Sequence, residues 1–238
     1  MKFGVGGRAG YKCSSVLRAP GYEHVDEQWF CPDFWADKAQ PVAAGGRGSA
    51  WFIQSGRYDL VLRHYRRGGM MAHLSQRNYL YSGWGKTRSF REFRLLETLK
   101  ARGLPVPAPV AAWAGRKGLL WYHAAILIER IPGSVPLPEA SEVQDEALWT
   151  QVGKTVRRFH DIGLEHVDLN CDNILLASGK VYLIDFDRCR LRQSDTFDSW
   201  KKNNLNRLRR SVDKRLQATS AHQRDSLWQA LQAGYHAT

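Results

Sequence analysis

The sequence predicts an α+β fold of two lobes, an antiparallel-sheet N-lobe followed by a reduced, mostly helical C-lobe. Three observations lead to this expectation. Two strand-like runs flank a Ser-Gly-Arg turn at residues 55–57, a pattern typical of an antiparallel hairpin. A second, shorter apolar hairpin occupies residues 174–184. After Asp187 the chain ends in a helix-rich tail with the basic, amphipathic pattern of surface helices.

Composition narrows the class of protein. The chain has 238 residues, 43% of them hydrophobic, so it can bury a core as one domain or two intimate lobes. It has no run of eighteen apolar residues and no secretory signal at its N-terminus, so we expect no membrane span and a location on the cytoplasmic side. Its four cysteines include no C-x-x-C pair, which predicts reduced thiols rather than a zinc site or disulfides.

The charge balance is strongly basic. A net charge of +12 favours polyanionic partners, which include nucleic acid, anionic lipid headgroups and phosphorylated substrates. Charge alone does not choose among them.

The chain is expected to fall into three parts. Residues 1–44 form an N-terminal extension that packs on the first lobe by its aromatic side chains. A short helix is expected at residues 27–36, interrupted by Pro32. Residues 45–131 form the N-lobe and residues 132–238 the C-lobe.

The N-lobe opens with a glycine-rich hairpin, G-G-R-G-S-A-W-F-I-Q, at residues 45–54. Glycines let backbone N–H groups come close to anionic oxygens, as in loops that cover nucleotide phosphates. Gly46, Gly48 and Ser49 are therefore candidate phosphate-binding residues. Trp51 stands where a third glycine would complete the usual pattern, so a plain flexible turn remains an alternative.

The next strand and helix carry a possible ion pair. Val61 and Arg63 share one face of the strand, where an apolar residue would meet a nucleotide base and a cation its phosphates. The period of residues 87–102 predicts a helix capped by Ser89. Glu92, in its first turns, would pair with Arg63. The alternatives are an exposed strand arginine and an anion near a helix N-terminus.

A basic, aromatic-edged stretch lies between that strand and that helix. A helix at residues 70–81 is expected within it. The whole stretch could contact anionic lipid, bind an anionic substrate or be a solvated linker. Its candidate contacts with substrate or lipid are Arg66, Arg67, Arg77, Lys86 and Arg88.

The rest of the N-lobe is predicted to be strands. The runs at residues 110–113 and 119–121 precede a buried strand that ends in a Pro-Gly turn. The backbone around Glu129 and Ile131 is expected to hydrogen-bond the edge of an adenine ring. A helix at residues 149–160 then leads into the second hairpin.

The second hairpin carries the candidate catalytic and metal-binding residues. The segment H-V-D-L-N-C-D-N-I-L-L is followed by A-S-G-K and by V-Y-L-I-D-F-D, which brings Asp168, Asn173 and Asp185 to one end of the hairpin. This is the kinase-like signature H-x-D-L-x-x-x-N followed by D-F. In phosphoryl transfer a base orients the hydroxyl nucleophile and oxygen ligands hold Mg²⁺ against the phosphates of ATP. Asp168 is the candidate base, and Asn173 and Asp185 are the candidate metal ligands.

Two other interpretations of this hairpin carry less weight. A surface hairpin with solvated ends does not explain why the His, the Asn and the I-D-F all fall in register. A calcium loop is excluded because Asn173 stands where that loop needs glycine and Gly179 where it needs glutamate. The tail lacks an A-P-E segment and leaves no room for a peptide-binding activation loop.

These segments resemble the 3-deoxy-D-manno-octulosonic acid (Kdo) kinases of Gram-negative bacteria, lipopolysaccharide core kinases with a eukaryotic-protein-kinase-like fold. The resemblance covers residues 45–215 and rests on R-H-Y-R-R-G-G, T-R-S-F-R-E-F-R-L-L, G-L-P-V-P-x-P-V, E-R-I-P-G, H-x-D-L-N-x-x-N-I-L-L and L-I-D-F-D-R. It implies transfer of the γ-phosphate of ATP to the 4-hydroxyl of a Kdo residue on a lipid A precursor (Kdo-lipid IVA), with Mg²⁺, at the cytoplasmic face of the inner membrane. It implies no nucleic-acid partner, and no obligate protein partner is evident.

Other functions remain open. A soluble small-molecule kinase of the aminoglycoside or choline type shares the same motifs but usually has an acidic acceptor pocket, which agrees poorly with a charge of +12. From another class, the chain could be a basic nucleic-acid-binding module or an inactive kinase-like scaffold. Intact Asp168, Asn173 and Asp185 argue against an inactive scaffold.

Overall fold

The computed structural model describes residues 10–42, 49–65, 79–192 and 199–237. The chain divides into two compact units. The first comprises Met1–Glu97 and Ala108–Arg130, and the second comprises Thr98–Pro107 and Ile131–Thr238.

The first unit is built on an antiparallel sheet. The elements of this unit are β1 (Cys13–Arg18), α1 (Pro32–Trp35), β2 (Ala39–Pro41), β3 (Ala50–Ser55), β4 (Tyr58–His64), β5 (Tyr79–Leu80), the first part of α2 (Arg88–Ala101), β6 (Pro109–Lys117) and β7 (Trp121–Glu129). In the described residues the sheet has seven strands: six follow the order β1-β6-β7-β4-β3-β2, and β5 pairs with the start of β7.

Strands β3 and β4 form the hairpin that was predicted, whereas the glycines at residues 45–48 lie outside the described residues. Strands β3 and β4 pair from Ala50 with Arg63 to Ser55 with Tyr58. The turn uses Gly56, whose φ of 58° lies in the left-handed region that glycine adopts without a Cβ clash. This register places the Arg63 side chain near the open end of the hairpin.

The N-terminal residues contribute more than aromatic packing. Strand β1 pairs with β6 and β2 pairs with β3, so both edges of the sheet come from this segment. The side chains of Phe30 and Trp35 are buried in the core, as expected. The helix predicted at residues 27–36 is interrupted, as expected from Pro32: a 3-10 turn ends at Phe30, and α1 begins separately at Pro32, a residue that suits the first position of a helix.

Two local predictions are wrong, and a third lies largely outside the described residues. Leu119 lies in the turn between β6 and β7, where Gly118 has a φ of 67°, and the strand starts only at Trp121. Tyr79 is in a strand, and the remainder of the helix expected at residues 70–81 lies largely outside the described residues. Ser89 does not cap α2; its buried hydroxyl donates to the carbonyl of Trp113 at 2.9 Å.

The second unit is mostly helical, as predicted. It contains a long helix, two C-terminal helices, a three-stranded sheet and a two-stranded sheet. The helix predicted at residues 149–160 is present with slightly wider limits. Its elements are β8 (Val135–Pro136), α3 (Glu146–Asp161), β9 (Leu164–Glu165), β10 (Ile174–Ala177), β11 (Lys180–Leu183), β12 (Arg190–Leu191), α4 (Ser199–Arg215) and α5 (Ala221–His236).

Helices α3 and α5 pack unusually closely. A Cβ placed on Gly153 would lie 2.0 Å from the carbonyl oxygen of Leu231, and one on Gly234 would lie 2.0 Å from that of Thr150. The two glycines therefore let the helix backbones touch. Val152, Val156 and Phe159 of α3 are buried, as predicted.

Two predictions about the whole chain can be compared with the structure. All four cysteines are free thiols. Within the described residues, none of the helices combines the length and the apolar character needed to cross a bilayer.

Candidate active site

Residues 166–173 of the second unit carry the candidate base and one candidate metal ligand, and we call this segment the catalytic loop. His166 fixes its first residues. The ring Nε2 of His166 lies 3.0 Å from the carbonyl oxygen of Ile184, and the backbone N–H donates to Oδ1 of Asn204 at 3.1 Å. The ring also makes an edge contact with Phe186, the residue after Asp185. Burial lowers the pKa of His166, so the imidazole is neutral at physiological pH. This histidine is structural.

Asn170 and Asn173 hold the end of the loop. Oδ1 of Asn170 accepts from the backbone N–H groups of Asp172 at 2.9 Å and Asn173 at 3.1 Å, which caps a single 3-10 turn. Nδ2 of Asn173 donates to the main-chain carbonyl of Asp168 at 2.9 Å. The amide nitrogen is thereby committed to the loop, and the oxygen of the same amide is the atom suited to a cation.

The hairpin of β10 and β11 places Asp185. The strands pair from Ile174 with Leu183 to Ala177 with Lys180, and Ser178 and Gly179 form the tight turn with left-handed φ values of 49° and 70°. The N–H of Ile184 then donates to the carbonyl of Asn173 at 3.0 Å. The residue before one candidate metal ligand is thus hydrogen-bonded to the other.

Asp185 has a backbone conformation that is unfavourable for an L-residue. Its φ is 63°, and a non-glycine residue in the left-handed region costs free energy that the surrounding structure must offset. Such conformations concentrate at functional sites. This observation supports the choice of Asp185 from the sequence.

The donor set suits magnesium. In the residues that the structure describes, no group of three or more His, Cys, Asp or Glu side chains is placed to hold a metal by itself. Mg²⁺ is usually bound by one or two carboxylates together with substrate phosphates and water. Asn173 and Asp185, two oxygen-bearing side chains on neighbouring backbone, fit that requirement.

One face of helix α4 makes hydrogen bonds and ion pairs with the catalytic loop. Its contacting residues are spaced by three or four positions, which places them on the same side of the helix. The contacts are Asn204 with the N–H of His166 at 3.1 Å, Arg207 with the carboxylate of Asp168 at 3.0 Å, Ser211 with the N–H of Cys171 at 2.9 Å and Arg215 with the carboxylate of Asp172 at 2.8 Å. A basic surface helix was predicted in this part of the chain, but its contacts with the loop were not. The available signal was that two polar, uncharged residues, Asn204 and Ser211, interrupt the basic pattern at this spacing.

The first unit contains the ion pair expected between Arg63 and Glu92. The guanidinium donates to both carboxylate oxygens of Glu92, which is only 4% exposed, and the hydroxyl of Tyr65 donates to the same carboxylate. The Arg63 guanidinium also lies 5.2 Å from the centre of the Tyr65 ring. The side chain of Arg63 is 21% exposed, so it remains partly accessible. Val61 lies between Phe52 and Ile128 in the sheet.

The remaining candidate nucleotide residues are only partly described. Ser49 precedes β3, and its carbonyl accepts from the N–H of His64 at 2.8 Å, whereas Gly46 and Gly48 lie outside the described residues. The N–H of Glu129 donates to Ala108, and that of Arg130 donates to Asp59. An adenine contact from this segment would therefore use the Glu129 carbonyl or the backbone of Ile131.

Two of the five candidate basic residues are described. Arg88 is held internally: it donates to the hydroxyl of Tyr79 at 2.7 Å, and its guanidinium lies over the Tyr79 ring at 4.8 Å. Lys86 is exposed at the end of a 3-10 turn. The other three, Arg66, Arg67 and Arg77, lie outside the described residues.

Comparison with known proteins gives a family match and close relatives. The family model "Lipopolysaccharide kinase (Kdo/WaaP) family" matches residues 32–235. The 3-deoxy-D-manno-octulosonic acid kinase of Xylella fastidiosa (strain M12) is 49% identical over 190 residues, which is 79% of this chain and 75% of that protein. The enzyme of the same name from Stenotrophomonas maltophilia (strain K279a) is 49% identical over 187 residues, 78% of this chain and 74% of that protein.

Solved structures with the same fold are more distant in sequence. WaaP in complex with acyl carrier protein aligns with a TM-score of 0.55 at 14% identity, covering 91% of this chain and 88% of that chain. A glucosamine kinase aligns with a TM-score of 0.51 at 12% identity, covering 96% of this chain and 68% of that one. At these identities the likeness concerns the fold alone. It confirms the protein-kinase-like α+β fold predicted from the sequence.

Proposed function

Because the chain belongs to the lipopolysaccharide kinase (Kdo/WaaP) family and is therefore a phosphotransferase that acts on an alcohol group, we propose that it phosphorylates the 4-hydroxyl of a Kdo residue on a lipid A precursor, Kdo-lipid IVA. The phosphate donor is ATP, which the kinase fold implies. The observation that carries the proposal is the arrangement of Asp168, Asn173 and Asp185 around one hairpin. The names of the 49% identical relatives support the choice of acceptor.

Asp168 is assigned as the base. Its carboxylate is half-exposed at the start of the loop, where an acceptor hydroxyl can reach it, and its main-chain carbonyl is held by Asn173. It would orient the sugar hydroxyl and accept its proton as the oxygen attacks the γ-phosphorus. The contact with Arg207 restricts the carboxylate to one position before the acceptor arrives.

Asn173 and Asp185 are assigned to Mg²⁺. These two side chains would hold the ion beside the nucleotide, where it would supply positive charge that stabilises the phosphate oxygens during transfer. The contribution of the chain is to hold these two side chains on one hairpin, and the hydrogen bond from the Ile184 N–H to the Asn173 carbonyl supports this.

The nucleotide contacts of the first unit are assigned to Gly46, Gly48 and Ser49 for the phosphates and to Arg63 for the α- and β-phosphates. Glu92 holds Arg63 in position. Arginine replaces the lysine that is usual at this place in kinases, and its planar fork can donate to Glu92 and to a phosphate oxygen at once. Val61 would contact the adenine face, and the backbone of Glu129 and Ile131 its edge.

We place the enzyme at the cytoplasmic face of the inner membrane as a peripheral protein. The acceptor carries a carboxylate, phosphates and acyl chains, and the net charge of +12 suits it and the anionic membrane surface. Contacts with acceptor or lipid are assigned to Arg66, Arg67, Arg77, Lys86 and Arg88, of which Arg88 is the one already held by Tyr79. No nucleic-acid partner is proposed.

A parallel acceptor assay tests the proposal. The protein is incubated with Mg²⁺ and γ-labelled ATP in the presence of Kdo-lipid IVA, of an aminoglycoside or of duplex DNA. Label on the glycolipid alone, located on the 4-hydroxyl by mass spectrometry and NMR, is the expected result. Transfer to the aminoglycoside would replace the proposal with a small-molecule kinase, and DNA binding without transfer would replace it with a nucleic-acid-binding protein.

A further inference from the structure

The turn between β6 and β7 exposes two adjacent leucines. Lys117 and Trp121 form the last pair of the hairpin, and Gly118, Leu119 and Leu120 make the connection beyond it. Leu119 is 69% exposed and Leu120 is 61% exposed. Turn positions normally carry polar residues or glycine, so the packing of this unit does not account for two leucines here.

A third exposed leucine adjoins them. Leu80 is 63% exposed, and strand β5 pairs it with Trp121. The N–H of Tyr81 donates to the carbonyl of Leu120 at 2.8 Å, which fixes the two segments side by side. We call Leu80, Leu119 and Leu120 the leucine patch. Among the described residues these are the three most exposed large hydrophobic side chains.

The surroundings of the leucine patch are aromatic and basic. Arg116 donates to the carbonyl of Leu119 at 3.0 Å, and its guanidinium lies 4.9 Å from the centre of the Tyr81 ring. Tyr81 also makes an edge contact with Trp84 at 5.0 Å between ring centres. Lys117 is exposed directly before the turn. Aliphatic side chains at a tip, flanked by tyrosine, tryptophan and cations, match the depth profile of a lipid headgroup region.

We propose that the leucine patch docks the protein on an anionic lipid bilayer by inserting Leu119 and Leu120 below the headgroups. The inference rests on the membrane location in the proposed function and assigns it to particular residues. Leucine side chains gain by leaving water, while Arg116 and Lys117 meet anionic headgroups, and the overall charge of +12 attracts the protein to such a surface. A small-molecule site is a poor fit, because such sites are concave whereas this is a projecting turn.

Vesicle co-sedimentation tests the proposal with the full chain. The vesicles contain phosphatidylethanolamine with 30% phosphatidylglycerol, and a second set contains phosphatidylcholine only. The variant Leu119→Ser/Leu120→Ser should bind the anionic vesicles at least tenfold more weakly than wild type, and Lys117→Glu should weaken binding less. Phe34→Ser is the matched control, because Phe34 is also an exposed apolar side chain, at 47%, but belongs to α1; it should bind like wild type.

Activity on two acceptors separates docking from catalysis. The double variant should phosphorylate a water-soluble Kdo glycoside at the wild-type rate but a vesicle-embedded acceptor at least tenfold more slowly. Equal loss on both acceptors would overturn the proposal, as would wild-type vesicle binding by the double variant. A leucine-dependent dimer in gel filtration would overturn it in favour of a surface between two copies of the chain. If wild type transfers phosphate to neither acceptor but binds anionic vesicles through these leucines, the proposed function fails and the docking surface stands.

Discussion

Nη1 of Arg207 in α4 donates a hydrogen bond to Oδ1 of Asp168 at 3.0 Å, so a helix from the basic C-terminal region reaches directly to the candidate base. Both side chains are about half-exposed, 48% for Arg207 and 51% for Asp168. A solvent-exposed ion pair contributes little to folding stability. We therefore expect the contact to orient the Asp168 carboxylate rather than to stabilise the fold.

Arg207→Met should impair turnover without impairing the fold. Freed from the guanidinium, the Asp168 carboxylate would sample several rotamers, and we expect kcat to fall about tenfold because misplacement of a catalytic group is costly. The KM for ATP should stay within about twofold, and Arg207→Lys should recover part of kcat. Arg215→Met is the matched control, because Arg215 makes the same type of contact with Asp172. Equal losses in the two Met variants would show that the contact with Asp168 is not special.

Two substitutions at Arg63 should distinguish the effect of its positive charge from the effect of its forked hydrogen-bonding geometry. Arg63→Lys keeps the cation but cannot reproduce the forked contact with Glu92, so the KM for ATP should rise about fivefold, with kcat changed less. Arg63→Met leaves the buried carboxylate of Glu92 without its cation and should also lower the free energy of unfolding by about 3 kcal/mol. Steady-state kinetics and urea unfolding measure the two effects. An unchanged KM for ATP in both variants would remove Arg63 from nucleotide binding.

Alanine at Gly153 or Gly234 should destabilise the second unit. In an ordinary helix interior Gly→Ala stabilises by about 1 kcal/mol, but here the new methyl group would lie 2.0 Å from a carbonyl oxygen of the opposite helix. Overpacking of this kind costs about 1–3 kcal/mol or more. Thermal unfolding should therefore show a lower Tm for both variants. Ala233→Gly, at an exposed position of the same helix, should cost no more than about 1 kcal/mol; a higher Tm for Gly153→Ala would contradict the close packing.

Stability should fall in mild acid because of His160. Burial lowers the pKa of His160 from 6.5 to about 4, and its Nδ1 lies 2.8 Å from the Tyr235 hydroxyl. Above pH 6.5 the imidazole is neutral in both the folded and the unfolded protein, so it has no effect. As the pH falls toward 4, only the unfolded protein takes up the proton, which costs about 2 kcal/mol of stability at pH 5.

Urea unfolding at pH 7.5 and pH 5.0 checks this expectation. His160→Gln should be less stable than wild type at pH 7.5 but should lose less stability between the two pH values. If the free energy of unfolding falls equally in both proteins between pH 7.5 and pH 5.0, a group other than His160 causes the loss.

Local spacing explains which parts of the site were predictable. Asp168, Asn173 and Asp185 lie within eighteen residues, and the hairpin that joins them is a short-range structure with its own turn signal. For these three residues the relevant geometry is fixed by nearby backbone. The pairing of Arg63 with Glu92 joins a strand and a helix that the basic stretch separates, and it was predicted from their places in a nucleotide-binding lobe rather than from local spacing.

Long-range contacts explain what the sequence did not reveal. Strand β1 pairs with β6 nearly one hundred residues later, and the N-terminal segment has no strong alternation of its own. Helix α4 contacts the catalytic loop through side chains such as Asn204 and Ser211. The partners of these side chains are distant in sequence, so only the tertiary structure identifies them. Leu119 lies in an apolar run that favours a strand, but Gly118 turns the chain first.

The most direct test of the central claim is the turnover number of Asp168→Asn in phosphate transfer from ATP to Kdo-lipid IVA. Asp172→Asn is the matched control, since Asp172 belongs to the same loop and also pairs with an arginine of α4. If Asp168 is the base, kcat of Asp168→Asn should fall about 1,000-fold, while Asp172→Asn should stay within about threefold of wild type. An Asp168→Asn enzyme that keeps more than about a tenth of wild-type kcat, or equal losses in the two variants, would contradict the account.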